Sequence, residues 1–425
     1  MGRHRAGRAA AVIGFCLAAG AGTRLTPLTR VVPKPLLAPA GRPLVDLAVQ
    51  ALKVAGATRV VVNAHHGADM LVAQLAGQAG VEVVVEPVLL GTGGGLVNAA
   101  RLGLLGDGDD PVLVTAADHV VDPVDLVALA AVLERSGAPM VAGLVPASTD
   151  VFALRLEEPA ARSPQGLWTP AAPLPPGRLG SPAGGPAAAG RGSRVPVGRG
   201  CHEPAEPGFQ DPARRGPCVP AGEPVRWAIG EGWVVRDPTG PWDSAGAYAL
   251  RAGLLRDLEP GPATLVDRIL GPLLERGRLA GLPFRGPMAD AGTLARLLEV
   301  SAGLLAGRWP YQLPPGRMRR MVGMEPVFVG VGAEVDPSAV LAGPVVLNAG
   351  CRVGAGAVVT RAVIGPGAIV GPGAQVTGSF LGPRAQVPSG DTATAALVPG
   401  APSDPASPDH AGAPQPGVEP PTGGA

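Results

Sequence analysis

A chain of 425 residues, 46% of them hydrophobic, has material for two or three domains, and its formal net charge of +1 offers no basic footprint for nucleic acid. Gly (64) and Pro (50) together exceed a quarter of the residues, so part of the length must be loop or unstructured. Four scattered cysteines (Cys16, Cys201, Cys218 and Cys351) exclude a disulfide framework and fit a reducing, cytoplasmic setting, and no uninterrupted apolar run is long enough to predict a membrane span.

Arg3, Arg5 and Arg8 followed by an apolar run imitate an export signal. That run flows directly into a glycine loop that cleavage would destroy, so it reads as a basic tail before a buried strand at residues 11–17. The loop carries Leu17, Ala18, Ala19, Gly20, Gly22 and Thr23, then Arg24, and ten residues later Lys34 between Pro33 and Pro35. Glycines let backbone N–H groups close on phosphate oxygens, Arg24 offers a planar fork and Lys34 a compact charge, a set suited to a polyphosphate. It is not a P-loop, since no Gly-Lys-Ser/Thr closes it, and Leu25 stands where a dinucleotide fingerprint needs a third glycine. Read alone, the glycines could equally be a tight strand-to-helix connection.

Helical spacing follows over 42–55, 67–76, 96–102 and 124–134, alternating with strand-like runs at 59–63, 81–85, 112–115 and 140–145. This alternation predicts an α/β, Rossmann-like, doubly wound and mostly parallel sheet. In such sheets ligands sit at the carboxyl ends of strands, where both 20–24 and Asp118 fall. Residues 86–96, EPVLLGTGGGL, read as a loop whose glycines leave backbone open to a flat base, with Glu86 or Thr92 for its polar edges, or simply as a flexible connection. His65 and His66 read as structural.

Residues 155–224 are dense in Pro, Gly, Ala and Arg with no period of 2 or 3.6, and read as a disordered insertion in a domain spanning 10–310. Order is expected to return at 225–236, with helical spacing at 264–274. From Val327 the grammar changes. Val329, Val335, Leu341, Leu347, Val353 and Val359 recur every six residues, and a five-residue step resets the phase to Ile364, Val370 and Val376, followed by Leu381 and Val387. One aliphatic per hexad predicts a β-helix over 327–390, with a disordered tail at 391–425.

The string LAAGAGTRL, then PLT, then PKPL closely resembles the signature of the sugar-1-phosphate nucleotidyltransferases. The VLVTAAD run ending in Asp118 is similar to the strand that ends in that family's Asn-Gly-Asp, with Ala116-Ala117 for Asn-Gly. PMADAGT, carrying Asp290, resembles its Asp-x-Gly-Thr, and SAGAYAL its Asn-Ala-Gly-x-Tyr, with Ser244 for the asparagine. The hexads resemble the left-handed β-helix appended to many members.

This resemblance implies transfer of a nucleotidyl group from a nucleoside triphosphate to a sugar 1-phosphate, with release of pyrophosphate. Arg24 and the amides of 20–23 would hold the leaving pyrophosphate, Lys34 would steady the α-phosphate, and Asp118 with Asp290 would hold Mg²⁺. Gly91, Thr92, Gly93 and Glu86 would line the nucleoside pocket, a loop leaning toward mannose-1-phosphate guanylyltransferase-like members. Arg236, Ser244 and Gly246 would meet the sugar phosphate. No lysine lies beyond Lys53, so Arg236-Asp237-Pro238 stands where the family's Glu-Lys-Pro is expected. The implied partners are the two substrates and further copies of the chain, without nucleic acid or membrane. An acyl-transferring β-helix is set aside because 327–390 contains no histidine. A non-catalytic paralogue that binds nucleotide-sugar and regulates a partner is the alternative.

Overall fold

A computed structural model of the chain describes residues 11–146, 227–230, 233–236, 241–319 and 325–400. The insertion expected at 155–224 and the tail beyond residue 400 lie outside the described residues.

The first half alternates as its periodicity predicts: β1 (Ile13–Leu17), α1 (Leu44–Val54), β2 (Arg59–Ala64), α2 (Ala68–Leu75), β3 (Val81–Val85), α3 (Gly91–Arg101) and β4 (Pro111–Ala116). A three-residue strand β5 (His119–Val121), then α4 (Pro123–Ser136) and β6 (Met140–Pro146) follow. Past the undescribed segment come β7 (Trp227–Gly230), β8 (Trp233–Arg236), β9 (Trp242–Arg251), α5 (Gly271–Glu275), β10 (Leu279–Pro283), β11 (Met288–Asp290) and α6 (Leu294–Leu305).

Among the described residues nine strands form one mixed sheet in the order β3-β2-β1-β4-β9-β6-β10-β8-β7. It is not the mostly parallel sheet expected, because β9 runs antiparallel between β4 and β6 and the β7–β8 hairpin adds antiparallel edges. β1 pairs in parallel with β2 on one side and β4 on the other, so the strand order reverses at β1. That reversal opens a crevice beyond its carboxyl end, the usual ligand position in such sheets. Alternate residues of the central strands enter opposite cores. Cys16, Val60, Val62 and Leu113 join α1 and α4 on one face, while Phe15, Val61, Val112 and Val114 join Leu96, Leu265 and Ile269 on the other. Both faces are therefore covered. Cys16 and Cys351 are free, buried thiols, each pushed up by burial.

Two local departures shape the site. α3 begins at Gly91, five residues before the helix expected at 96–102, and takes in the glycine run read as a loop. Second, β9 runs antiparallel between β4 and β6 with a bulge: Ala142 faces Tyr248, yet Leu144 faces Ser244. The bulge carries Gly246 at φ +64°, a left-handed conformation that glycine adopts without penalty.

After α6, β12 (Gly316–Arg319) pairs antiparallel with β13 (Val327–Gly330), which opens a coil of three parallel sheets. Each strand lies in register on the next turn, as Leu341 on Val359, Val359 on Val376, and Val376 on Ala393. The hexad aliphatics Leu347, Val353, Val359, Ile364, Val370, Val376, Leu381 and Val387 fill its interior. Residues 391–400, expected to belong to a tail, instead carry strands at Thr392–Thr394 and Leu397–Val398 that add a further rung. Ala393 holds the inward position there, and so small a side chain breaks the aliphatic signal without breaking the stack.

The coil also packs under the N-terminal loop. Phe328, Val346, Val363 and Phe380 share one buried cluster with Leu25, Leu28, Val32 and Leu37. Contact is tight enough that a Cβ on Gly382 would lie 2.7 Å from Leu28 Cδ1. Each such fully buried aliphatic or aromatic side chain is worth about 1.5–3 kcal/mol. The coil is thus part of what holds the loop's shape.

Candidate active site

β1 ends at Leu17, whose carbonyl accepts from the Ala117 N–H at 2.9 Å, tying the loop after β1 to the end of β4. The Ala18 N–H donates to Asn63 Oδ1 at 2.8 Å, and Asn63 Nδ2 donates to Glu86 Oε1 at 2.7 Å. Glu86 Oε2 accepts from the Leu90 N–H at 3.1 Å. Glu86 is only 1% exposed, so its carboxylate fastens three segments rather than facing an open pocket. His65 Nδ1 lies 2.9 Å from the Glu86 carbonyl and His66 Nε2 2.9 Å from that of Thr29, which gives both rings structural partners.

Glycines of the expected nucleoside loop meet the protein itself. A Cβ on Gly93 would lie 2.3 Å from the Thr264 carbonyl oxygen, on Gly91 2.7 Å from that of Ala263, and on Gly95 2.5 Å from Glu86 Oε1. Thr92 Oγ1 accepts from the Leu265 N–H at 2.7 Å. The glycine run lets α3 press against 261–265, and this close backbone approach replaces the open loop.

The loop after β1 is different. Gly22, at φ +65°, makes the turn, and a Cβ there would lie 2.9 Å from Lys34 Cβ. Gly20 is exposed, and a Cβ on it would meet nothing within 4 Å. Among the described residues no packing demands a glycine at 20, which leaves its backbone open to a ligand. Ala18 and Ala19 are buried beside it, Leu17 half-buried, and Thr23 and Arg24 exposed.

β5 and β11 form a two-stranded antiparallel ribbon in which His119 faces Asp290. This brings together the two aspartates that the sequence separates by more than half of the first domain. Lys34, 8% exposed, sends its Nζ to Asp118 Oδ2, with Asp290 Oδ1 at 3.9 Å. Asp290 Oδ2 accepts from Arg296 Nη1 at 2.9 Å. A Cβ on Gly292 would lie 2.6 Å from Arg24 Nη2 and 2.8 Å from Asp290 Oδ1, so the Arg24 fork lies over the same turn. Arg24, Lys34, Asp118 and Asp290 therefore converge at the crevice. Burial alone would raise the Asp118 carboxyl, but the neighbouring His119 and Lys34 charges and the Lys34 hydrogen bond outweigh it and hold the group below the ordinary carboxylate range.

The β9 bulge lines the other side. Ser244 Oγ lies 2.8 Å from the Tyr248 hydroxyl and accepts from the Gly246 N–H at 3.1 Å, which fixes the bulge. Gly246 faces His119, a site neighbour that the sequence reading did not single out: a Cβ there would lie 2.1 Å from His119 Cε1. Arg236 ends β8 opposite Trp227, and its side chain lies outside the described residues.

Residues 13–150 match the family model described as Nucleotidyl transferase. The N-acetylmuramate alpha-1-phosphate uridylyltransferase of Caulobacter vibrioides is 38% identical over 115 residues, 25% of this chain and 46% of that protein. That of Neisseria meningitidis serogroup B is 42% identical over 111 residues, again 25% and 46%. The mannose-1-phosphate guanyltransferase of Aspergillus fumigatus is 37% identical over 111 residues, 25% of this chain and 30% of that protein. The chain thus spans less than half the length of the curated relatives it matches.

Proposed function

We propose that this chain is a sugar-1-phosphate nucleotidyltransferase. An oxygen of the sugar phosphate bonds to the α-phosphorus of a nucleoside triphosphate while the bond to the bridging oxygen breaks and pyrophosphate leaves with that electron pair. The observation that carries the reading is the convergence of Arg24, Lys34, Asp118 and Asp290 at the carboxyl ends of β1 and β4, beside an open Gly20. The match of residues 13–150 supports the same class.

Such chemistry asks the protein for position and charge. The amides of 20–23 and the Arg24 fork suit the pyrophosphate, and Lys34 supplies a fixed positive charge for the α-phosphate. Asp118 and Asp290 are the groups that would hold Mg²⁺. The fit rests on Asp290 Oδ1, a buried oxygen without a hydrogen-bond donor, and on an Asp118 kept ionised by its neighbours. A bound divalent cation supplies neutralisation of the charge developing on the phosphates. Around the substrate, Gly91, Thr92, Gly93 and Glu86 would shape the nucleoside side from behind, Ser244 and Gly246 would border the sugar phosphate, and Arg236 is the proposed cationic partner for it. We read the coil as a left-handed β-helix, and the molecule as a cytoplasmic homo-oligomer. Among the described residues no helix is long and apolar enough to cross a membrane.

The lack of any lysine beyond Lys53 favours one rival, a nucleotide-sugar-binding regulator without turnover. Pyrophosphate release separates the two. Guanosine triphosphate with mannose 1-phosphate is the first pair to assay, and uridine triphosphate with N-acetylmuramate 1-phosphate the second. Release that depends on both substrates supports the enzyme. Nucleotide binding without release from any pair supports the regulator.

A further inference from the structure

His119 lies beside Asp118 and packs into the β9 bulge. Its ring enters the β9 bulge, where only a residue without a Cβ leaves room: the missing Cβ of Gly246 would fall 2.1 Å from Cε1 and 2.3 Å from Nδ1. Nδ1 lies 3.1 Å from the Ala245 carbonyl oxygen. A carbonyl can only accept, so Nδ1 carries a proton and donates it. Whenever the ring is neutral this leaves Nε2 as the available lone pair, 3.9 Å from Asp118 Oδ1.

One ligand atom each from Asp118, His119 and Asp290 lies within 4.8 Å of the others. Two features mark this focus as one that attracts positive charge. The Lys34 ammonium is already lodged between the two carboxylates. Asp290 Oδ1, buried and without a hydrogen-bond donor, lies 3.9 Å from the Lys34 Nζ. A histidine that ligates a metal almost always donates its other ring N–H to a backbone carbonyl or carboxylate, which is the bond His119 makes to Ala245.

We propose that His119 is a third metal ligand, completing a set of two carboxylates and one imidazole that favours a first-row transition cation over Mg²⁺. This rests on the metal-assisted reading of the site given above and deepens it. Mg²⁺ is a hard cation that prefers oxygen, reluctant to give up its waters, whereas imidazole nitrogen strengthens binding along the series from Mn²⁺ through Co²⁺. The Gly246 bulge and the Ala245 carbonyl are positioning elements for the ring.

The test is pulsed electron paramagnetic resonance on the full chain loaded with Mn²⁺, read for nuclear modulation by a directly bound ¹⁴N. Dissociation constants for Mn²⁺, Co²⁺ and Mg²⁺ are measured alongside by calorimetry, on wild type and on His119→Gln. We expect ¹⁴N modulation in wild type and its loss in H119Q. H119Q should weaken Co²⁺ by about tenfold or more and leave Mg²⁺ within about twofold. Mn²⁺ that binds wild type without ¹⁴N modulation overturns the assignment of His119 and leaves the two-aspartate reading standing. If Mn²⁺ does not bind wild type at all, with or without a nucleoside triphosphate, both fall. The wild-type spectrum decides even if the variant does not fold.

Discussion

Gly95→Ala tests whether the glycine run of α3 is there for packing. In an exposed helix the change would stabilise by about 1 kcal/mol, since alanine is the better helix former. At this position the new Cβ would stand 2.5 Å from Glu86 Oε1 and 2.6 Å from Asn63 Nδ2, both inside a buried network. Overpacking of this kind costs about 1–3 kcal/mol. Displacing the Asn63–Glu86 hydrogen bond, 2.7 Å long with a charged acceptor, costs about 1.5–3 kcal/mol more. The balance is a net loss of about 2–5 kcal/mol. For a domain of this size that is a fall in melting temperature of about 5–15 °C by calorimetry. Because Asn63 also holds the Ala18 amide, turnover should fall at temperatures where the variant is still folded. A variant that melts at or above the wild-type temperature would refute the packing argument and restore the open-loop reading.

Gly20→Ala should behave oppositely: its Cβ meets nothing within 4 Å, so the melting temperature should hold while the KM for nucleotide rises, and an unchanged KM would remove Gly20 from the site. Asp118→Asn and Asp290→Asn should each abolish pyrophosphate release without unfolding the chain, and the double variant should be no worse, as groups acting as a unit require; chelation should do the same. Asp118 is held below the ordinary carboxylate range, so its contribution to stability is present above its unfolded pKa and lost as pH falls through the folded one. Acid unfolding should therefore be less steep in Asp118→Asn, and identical curves would contradict that. Phe380→Ala, at a side chain 2% exposed between the coil and the Leu28 loop, should cost about 3–5 kcal/mol and lower turnover too, as seen in paired melting and kinetic assays.

The parts that were legible in the sequence are those with a local period. Central strands and their covering helices followed from alternation, and the coil from one inward aliphatic every six residues, because burial selects those positions one by one. Lys34, Asp118 and Asp290 were found through motif context and meet in space. What escaped was set by distant partners. β5 and β11 are three residues each, too short to show a period, and exist through one another. The start of α3 was hidden because Gly93 and Gly95 answer to Thr264, Asn63 and Glu86 rather than to the helix itself. His119 was not singled out in the sequence, since its hydrogen-bond partner Ala245 lies 126 residues away. The last rung faded from view because Ala393 keeps the inward place with a side chain too small to register as a repeat.

The central claim is that Arg24, Lys34, Asp118 and Asp290 form a site that transfers a nucleotidyl group to a sugar 1-phosphate. A matrix of nucleoside triphosphates against sugar 1-phosphates, with divalent cation present and scored by pyrophosphate release, tests it most directly. At least one pair should release pyrophosphate in step with formation of the nucleotide-sugar, and Asp118→Asn should abolish it. Tight nucleotide binding with no pyrophosphate from any pair would contradict the account and leave a binding protein in its place.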